Sequence, residues 1–400
     1  MAKKKNSKNT IKQDLTVEDN LFKKTISMLN PEEGRAVFQS LSKVRNRQLI
    51  GVSTGSIGLD YSICPKAGGM PVGHCIEFYG PYSSGKTTLA LGICANITAQ
   101  KKQVIYVDAE RSFSPELAIN AGIDEEYFIL CQHRDARLIA NNLETLMKTG
   151  SVGAIVIDSI PFWKPLLEGK KGNDDVDITK SQMAAHASFL TLTLPILAQV
   201  ASDHDVILIF INQERKNLNY GGGSVPYGCE ALKHLDSVRL KLKGNAKYKD
   251  SKILDSDDNL VGQYVEVLVD KNKVGVPMKE LVVPLFFGRG VNPYMEAAKL
   301  AVKLGIVTNA AGRINWADSG ESLAHGIDNF TQMLFDDKEL YFKLRDKLIQ
   351  ILGVRYTDME SIINSFHDGK GEKRVALSIG EPNFKDTETD IEEELEATDE

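Results

Sequence analysis

The sequence predicts an α/β fold, a mostly parallel central sheet covered by helices, wrapped around a phosphate-binding turn. Three observations carry that reading. Apolar, β-branched runs recur at 75–79, 103–107, 152–157 and 206–211, near-continuous in the way of strands buried on both faces. Helical spacing fills the intervals, at about 86–100, 115–121, 136–149 and 181–202, the alternation of a doubly covered sheet. Between the first run and the first helix stands Gly80-Pro81-Tyr82-Ser83-Ser84-Gly85-Lys86-Thr87, followed by Thr88.

That last segment has the form of a P-loop. A glycine-rich turn from strand to helix aims several backbone N–H groups at one point, at the positive end of the helix dipole. Gly80 and Gly85 permit the turn, Lys86 would reach the β- and γ-phosphates of a nucleoside triphosphate, and the Thr87 hydroxyl would hold Mg²⁺. A nucleoside triphosphate with Mg²⁺ is therefore the expected ligand.

The other strand ends supply partners. Asp158 closes the 152–157 run, where a carboxylate faces the P-loop and supports the metal. Glu110 follows the 103–107 run and is placed to orient and deprotonate an attacking water. Asp108, two residues earlier, shares its strand face, so the spacing leaves both carboxylates as candidates. Gln213 ends the run beginning at Val206 and precedes a glycine-rich stretch, where an amide could sense the γ-phosphate; a polar strand cap is the plainer alternative. Lys271 and Lys273, alternate residues of Val269-Asp270-Lys271-Asn272-Lys273-Val274, project together as a paired cationic clamp or else line a solvated edge.

Runs at 237–242, 263–269 and 280–287 alternate apolar with polar residues and read as antiparallel additions at one sheet edge. Segments 164–180 and 214–229, rich in Gly, Asn, Asp and Lys, follow central strands, where open α/β sheets bind ligands. Residues 20–48 have helical spacing broken near Pro31. Spacing at 294–365 is mostly helical and reads as a separate small domain.

Composition fits an ordinary globular chain, 42% apolar and 26% charged. Five scattered cysteines without Cys-x-x-Cys spacing indicate neither a disulfide framework nor a zinc site. No apolar stretch is read as reaching the roughly 20 residues of a membrane span, and no secretion signal is read at the N-terminus, so the expected compartment is the cytoplasm. The net charge of −6 hides a polarity. Residues 386–400 hold nine carboxylates and no base, leaving +3 on the rest, and five lysines stand in the first twelve residues. From charge alone, both ends read as solvated tails.

Together these stretches resemble the bacterial RecA recombinase family. The resemblance rests on Ser53-Thr54-Gly55-Ser56-Ile57-Gly58-Leu59-Asp60, Gly80 to Thr88, Asp108-Ala109-Glu110, Val156-Ile157-Asp158-Ser159, Phe210-Ile211-Asn212-Gln213, Ala231-Leu232-Lys233, Ser237-Val238-Arg239-Leu240 and Lys271-Asn272-Lys273. It implies an ATP-dependent recombinase that forms helical filaments on single-stranded DNA, binds ATP between subunits, pairs with duplex DNA and exchanges strands. Single-strand-binding and loader proteins are implied as further partners. In that frame Glu110 is the catalytic carboxylate and Gln213 the γ-phosphate sensor, and Lys271 and Lys273 reach the neighbour's ATP. Loops 164–180 and 214–229 match the family's two DNA loops, with Arg215, Lys216, Leu218 and Gly228 in the second and Met183 just past the first as DNA contacts, while Lys170, Lys171 and Lys180 stand as the lysines that would supply positive charge at the first. The implied domains are 1–50 for subunit packing, 51–290 as ATPase core, 291–367 as a small α/β unit for duplex DNA, and 368–400 as a disordered, autoinhibitory acidic tail.

The departures suggest a divergent member, of the kind a phage or mobile element encodes. Ser114 and Leu117 stand where the family's adenine pocket has an aspartate and a tyrosine. Ser188 and Pro195 replace basic residues of the helix after the first loop, and a proline inside a helix removes a backbone bond and can kink it. His234 replaces an aromatic of the inter-subunit relay.

Overall fold

Alternating side chains along each strand send apolar groups to opposite faces, and both faces find helices. The computed structural model describes residues 20–30, 37–41, 49–166, 178–216, 224–227, 230–244, 251–255 and 257–356, with backbone alone at 178–183, 215–216, 224–225 and 230. The chain divides into two units, Met1–Gln48 and Leu49–Glu400. In the first, residues 20–29 are helical and Leu21, Phe22, Met28 and Leu29 are exposed.

The second unit is built on strands β1 (Cys75–Gly80), β2 (Gln103–Asp108), β3 (Phe128–Cys131), β4 (Val152–Asp158), β5 (Ile207–Lys216), β6 (Val238–Gly244), β7 (Leu260–Asn272), β8 (Lys279–Phe286) and β9 (Gly290–Val291). Among the described residues they lie in the order β9-β8-β7-β6-β1-β5-β4-β2-β3. From β3 through β6 neighbouring strands are parallel; from β6 to β9 they are antiparallel. One face carries Ile76, Phe78, Val104, Tyr106, Val156 and Ile209 against helix α1 (Lys86–Ala99). The other carries Ile105, Val107, Ile155, Ile157, Leu208 and Phe210 against helices α2 (Ala136–Met147) and α3 (Ile178–Asp203).

The α/β architecture is as the sequence predicts, with specific corrections. The 237–242 run is not an antiparallel addition: β6 pairs parallel with β1, Ile76 opposite Val238, and the sheet changes direction one strand later. β3 escaped sequence reading because its four residues are too short for a period and its burial is partial. β5 continues past Gln213 to Lys216 and pairs antiparallel with Ser224–Pro226, so the feet of the 214–229 segment are a two-stranded ribbon rather than loop. Helix α3 begins at Ile178, placing Lys180 on the helix, and it passes unbroken through Pro195. Residues 184–203 are also long and apolar enough to cross a membrane, contrary to the sequence reading. In the fold this helix packs one face, with Phe189, Leu190, Leu194, Leu197 and Ala201, on the sheet, while Leu192 and Ile196 on it are exposed.

Beyond the sheet, helix α4 (Pro293–Lys303) and the helices Ile327–Asp336 and Lys338–Leu352 enclose Tyr294, Ala298, Trp316, Phe330, Leu344 and Leu348. A small antiparallel sheet of short strands stands among them, Val307–Ala310, Arg313–Trp316 and Ser322–His325, which the helical spacing did not show but which agrees with the small α/β unit expected there. The buried carboxylate of Glu296 on α4 accepts from Ser56 Oγ, Ile57 N and Gly58 N, tying α4 to the helix Ile57–Ile63. Within that helix Asp60, also buried, accepts from Ser53, Thr54 and Tyr356.

Candidate active site

The P-loop turn joins β1 to α1. Gly85 sits in the left-handed region (φ 88°) as the residue before the helix, and a Cβ on Gly80 would come within 2.1 Å of the Leu242 carbonyl on β6. No side chain fits at Gly80 without moving the sheet. Lys86 is buried, its ammonium donating to Gly80 O (3.0 Å), Pro81 O (2.6 Å) and Ser84 Oγ (3.3 Å). Burial pushes its pKa down to about 8, against the pull of Asp158 and Glu110.

Thr87 Oγ1 donates to Asp158 Oδ2 at 2.9 Å, and the Tyr106 hydroxyl donates to the same oxygen at 2.6 Å. Burial raises the Asp158 carboxyl above its usual range, and these two donors oppose the rise. A hydroxyl beside a carboxylate is the hard-oxygen set that suits Mg²⁺, which usually takes one or two carboxylates plus substrate phosphates. Among the described residues no larger cluster of metal ligands occurs, so Thr87 and Asp158, with Lys86 nearby, are the groups that fit a magnesium–nucleotide complex.

Asp108 and Glu110 part company in three dimensions. Asp108 is buried and accepts from Ser112 N and Phe113 N, both 3.1 Å, and from Gln132 Nε2 at 2.8 Å, holding the turn after β2. Glu110 Oε1 accepts instead from Gln213 Nε2 at 2.7 Å and from Ser159 Oγ. Gln213 in turn accepts at Oε1 from the Tyr82 hydroxyl, 3.1 Å away. Ends of β1, β2, β4 and β5 thus converge, as expected at the carboxyl ends of parallel strands.

Lys271 and Lys273 also meet. Both ammonium groups reach the last carbonyls of the short helix Glu230–Leu235: Lys271 donates to Lys233 O and to His234 O (3.3 Å), Lys273 to His234 O (3.0 Å). Burial and the neighbouring Lys273 lower the Lys271 pKa. Ser114 caps the helix Pro115–Asn120 and Leu117 is exposed on it.

Of the other expected DNA contacts, Lys180 and Met183 lie on α3 and Arg215 and Lys216 on the β5 ribbon, as backbone alone. Lys170, Lys171, Leu218, Gly228 and the 368–400 tail fall outside the described residues.

Sequence reasoning missed Ser159, Tyr106 and a buried charged cluster beneath the site. Glu77 on β1 pairs with Arg239 on β6, directly opposite it in register. Asn212 Nδ2 donates to the other Glu77 oxygen at 2.8 Å, and Arg239 reaches Asp270 Oδ2 at 3.2 Å. Asp236 is fully buried beside them, its carboxyl pushed well up by burial and by Glu77. The available signal was Glu77 as the one charge inside the apolar run Cys75–Tyr79, and Arg239 as a charge flanked by Val238 and Leu240, since buried charges are seldom left unpaired.

The sheet order, the P-loop at the end of β1 and the Thr87–Asp158 pair define a P-loop NTPase core. Comparison with known proteins places it further. The RecA N-terminal domain family matches residues 20–292. The RecA protein of Chloroherpeton thalassium is 34% identical over 351 residues, spanning 86% of this chain and 93% of that one. That of Chlorobium chlorochromatii is 33% identical over 306 residues, 75% of this chain and 82% of the relative. That of Mannheimia haemolytica is 28% identical over 356 residues, 88% and 93%. The chain belongs to the RecA family, whose role is in DNA recombination and repair.

Proposed function

We propose that this protein is a cytoplasmic, DNA-dependent ATPase that polymerises on single-stranded DNA into a helical filament, aligns it with homologous duplex and exchanges strands. The observation that carries the reading is the convergence of Lys86, Thr87–Asp158 and Glu110–Gln213 on one strand-end cleft, with Gln213 running straight into the Glu214–Lys216 ribbon.

In this reading the P-loop amides and Lys86 bind the phosphates, and Thr87 and Asp158 hold Mg²⁺, which when bound neutralises charge on the β- and γ-oxygens. Glu110 orients a water and takes its proton at a carboxylate oxygen, a contribution of about 10²–10⁴-fold. Gln213 reports the γ-phosphate to the ribbon, which presents Arg215 and Lys216 to DNA with Lys170, Lys171, Lys180, Met183, Leu218 and Gly228. Lys271 and Lys273 act on the neighbouring subunit's nucleotide; their shared anchorage at His234 supports a single clamp. The 1–50 segment joins subunits, 291–367 receives duplex DNA and 368–400 restrains DNA binding. Single-strand-binding and loader proteins are the remaining proposed partners.

The test combines hydrolysis with imaging. Glu110→Gln is expected to abolish single-stranded-DNA-stimulated turnover while ATP and DNA binding persist, and negative-stain microscopy with a slowly hydrolysed ATP analogue is expected to show open helical filaments. Closed rings, or a Glu110→Gln protein with near-normal turnover, would refute the reading.

A further inference from the structure

Tyr82 is exposed, with three quarters of its surface in solvent, yet its hydroxyl is the group that meets the Gln213 carbonyl. The two ends of a glutamine amide are nearly alike in shape, and its partners decide which way it points. Here the partners are unambiguous. The amide NH₂ of Gln213 donates to Glu110 Oε1, which leaves Gln213 Oε1 toward Tyr82, and an amide oxygen only accepts, so the phenol is the donor. Ser159 Oγ donates to the same Glu110 oxygen. The chain of bonds has one direction: Tyr82 to Gln213 to Glu110, with Ser159 donating to the same carboxylate oxygen.

We propose that Tyr82 is a positioning residue for the hydrolytic pair, its phenol fixing the amide of Gln213 and through it the carboxylate of Glu110. Tyr82 lies inside the turn whose backbone cradles phosphate, next to Ser83 in a left-handed conformation (φ 59°). Any adjustment of that turn to its ligand therefore reaches Gln213 by a hydrogen bond as well as through space, and Gln213 passes it both to Glu110 and to the ribbon beginning at Glu214. The inference rests on the roles of Glu110 and Gln213 proposed above.

Tyr82→Phe deletes the hydroxyl and keeps the ring, while Tyr82→Ala deletes both; at so exposed a position neither threatens the core. Steady-state hydrolysis at saturating single-stranded DNA, with Glu110→Gln measured alongside, decides the matter. Loss of one neutral hydrogen bond predicts a kcat lower by roughly fivefold to tenfold, equal in Tyr82→Phe and Tyr82→Ala, with KM for ATP within about twofold of the parent. A ring that only packs or stacks would leave Tyr82→Phe at parental kcat and impair Tyr82→Ala alone; that result, with Glu110→Gln inactive, overturns the role of Tyr82 and leaves the site reading intact. A raised KM at unchanged kcat overturns it as well, making Tyr82 a nucleotide contact. A Glu110→Gln protein that still turns over overturns the site reading, and the role of Tyr82 with it.

Discussion

Glu296 offers a stability measurement whose sign and size follow from its surroundings. Its carboxyl is buried between α4 and the helix Ile57–Ile63, and burial, with the nearby Asp60 charge adding to it, raises its pKa from 4.5 to about 7. The folded protein therefore binds this proton more tightly than the unfolded chain does. Its contribution is fully present below about pH 4.5 and is lost as pH rises through about 7, a swing of about 3 kcal/mol at 1.36 kcal/mol per pKa unit. Asp60, raised from 3.8 to about 6 by burial, adds a swing of the same sign at lower pH. Glu296→Gln removes the titration but turns an NH₂ toward Gly58 N or Ile57 N, both donors, at a cost of roughly 1–3 kcal/mol. Urea unfolding of parent and variant between pH 5 and pH 8 should show the variant's deficit greatest at pH 5 and shrinking by roughly 2–3 kcal/mol by pH 8, the rest of the swing lying below pH 5. A deficit that stays constant or widens over that range would refute the reasoning.

Two further outcomes are expected. Mixing Lys271→Ala/Lys273→Ala protein with Glu110→Gln protein should restore part of the ATPase, because some junctions then combine two intact halves; a strictly zero rate in mixed filaments counts against action in trans. Deleting residues 386–400, with their nine carboxylates, should tighten duplex-DNA binding most at low salt, since tethered charge competes with DNA and salt screens both; equal affinities of full-length and truncated protein at low and high salt would end the idea.

What the sequence determined by itself was whatever depends on near neighbours. The P-loop is one turn, the central strands are continuous apolar runs, and Asp158, Glu110 and Gln213 stand beside those runs; period and turn chemistry act over a few residues and can be read there. The tertiary structure decided everything that needed a distant partner. It separated Asp108, whose oxygens hold the following turn and Gln132, from Glu110, which meets Gln213 across 103 positions of chain. It turned β6 parallel to β1, placing Arg239 opposite Glu77, and it brought Tyr82 to Gln213 across 131 positions. A buried charge or an oriented amide is stable only beside its complement, and which residue supplies that complement is set by how the strands lie in the sheet, not by their order along the chain.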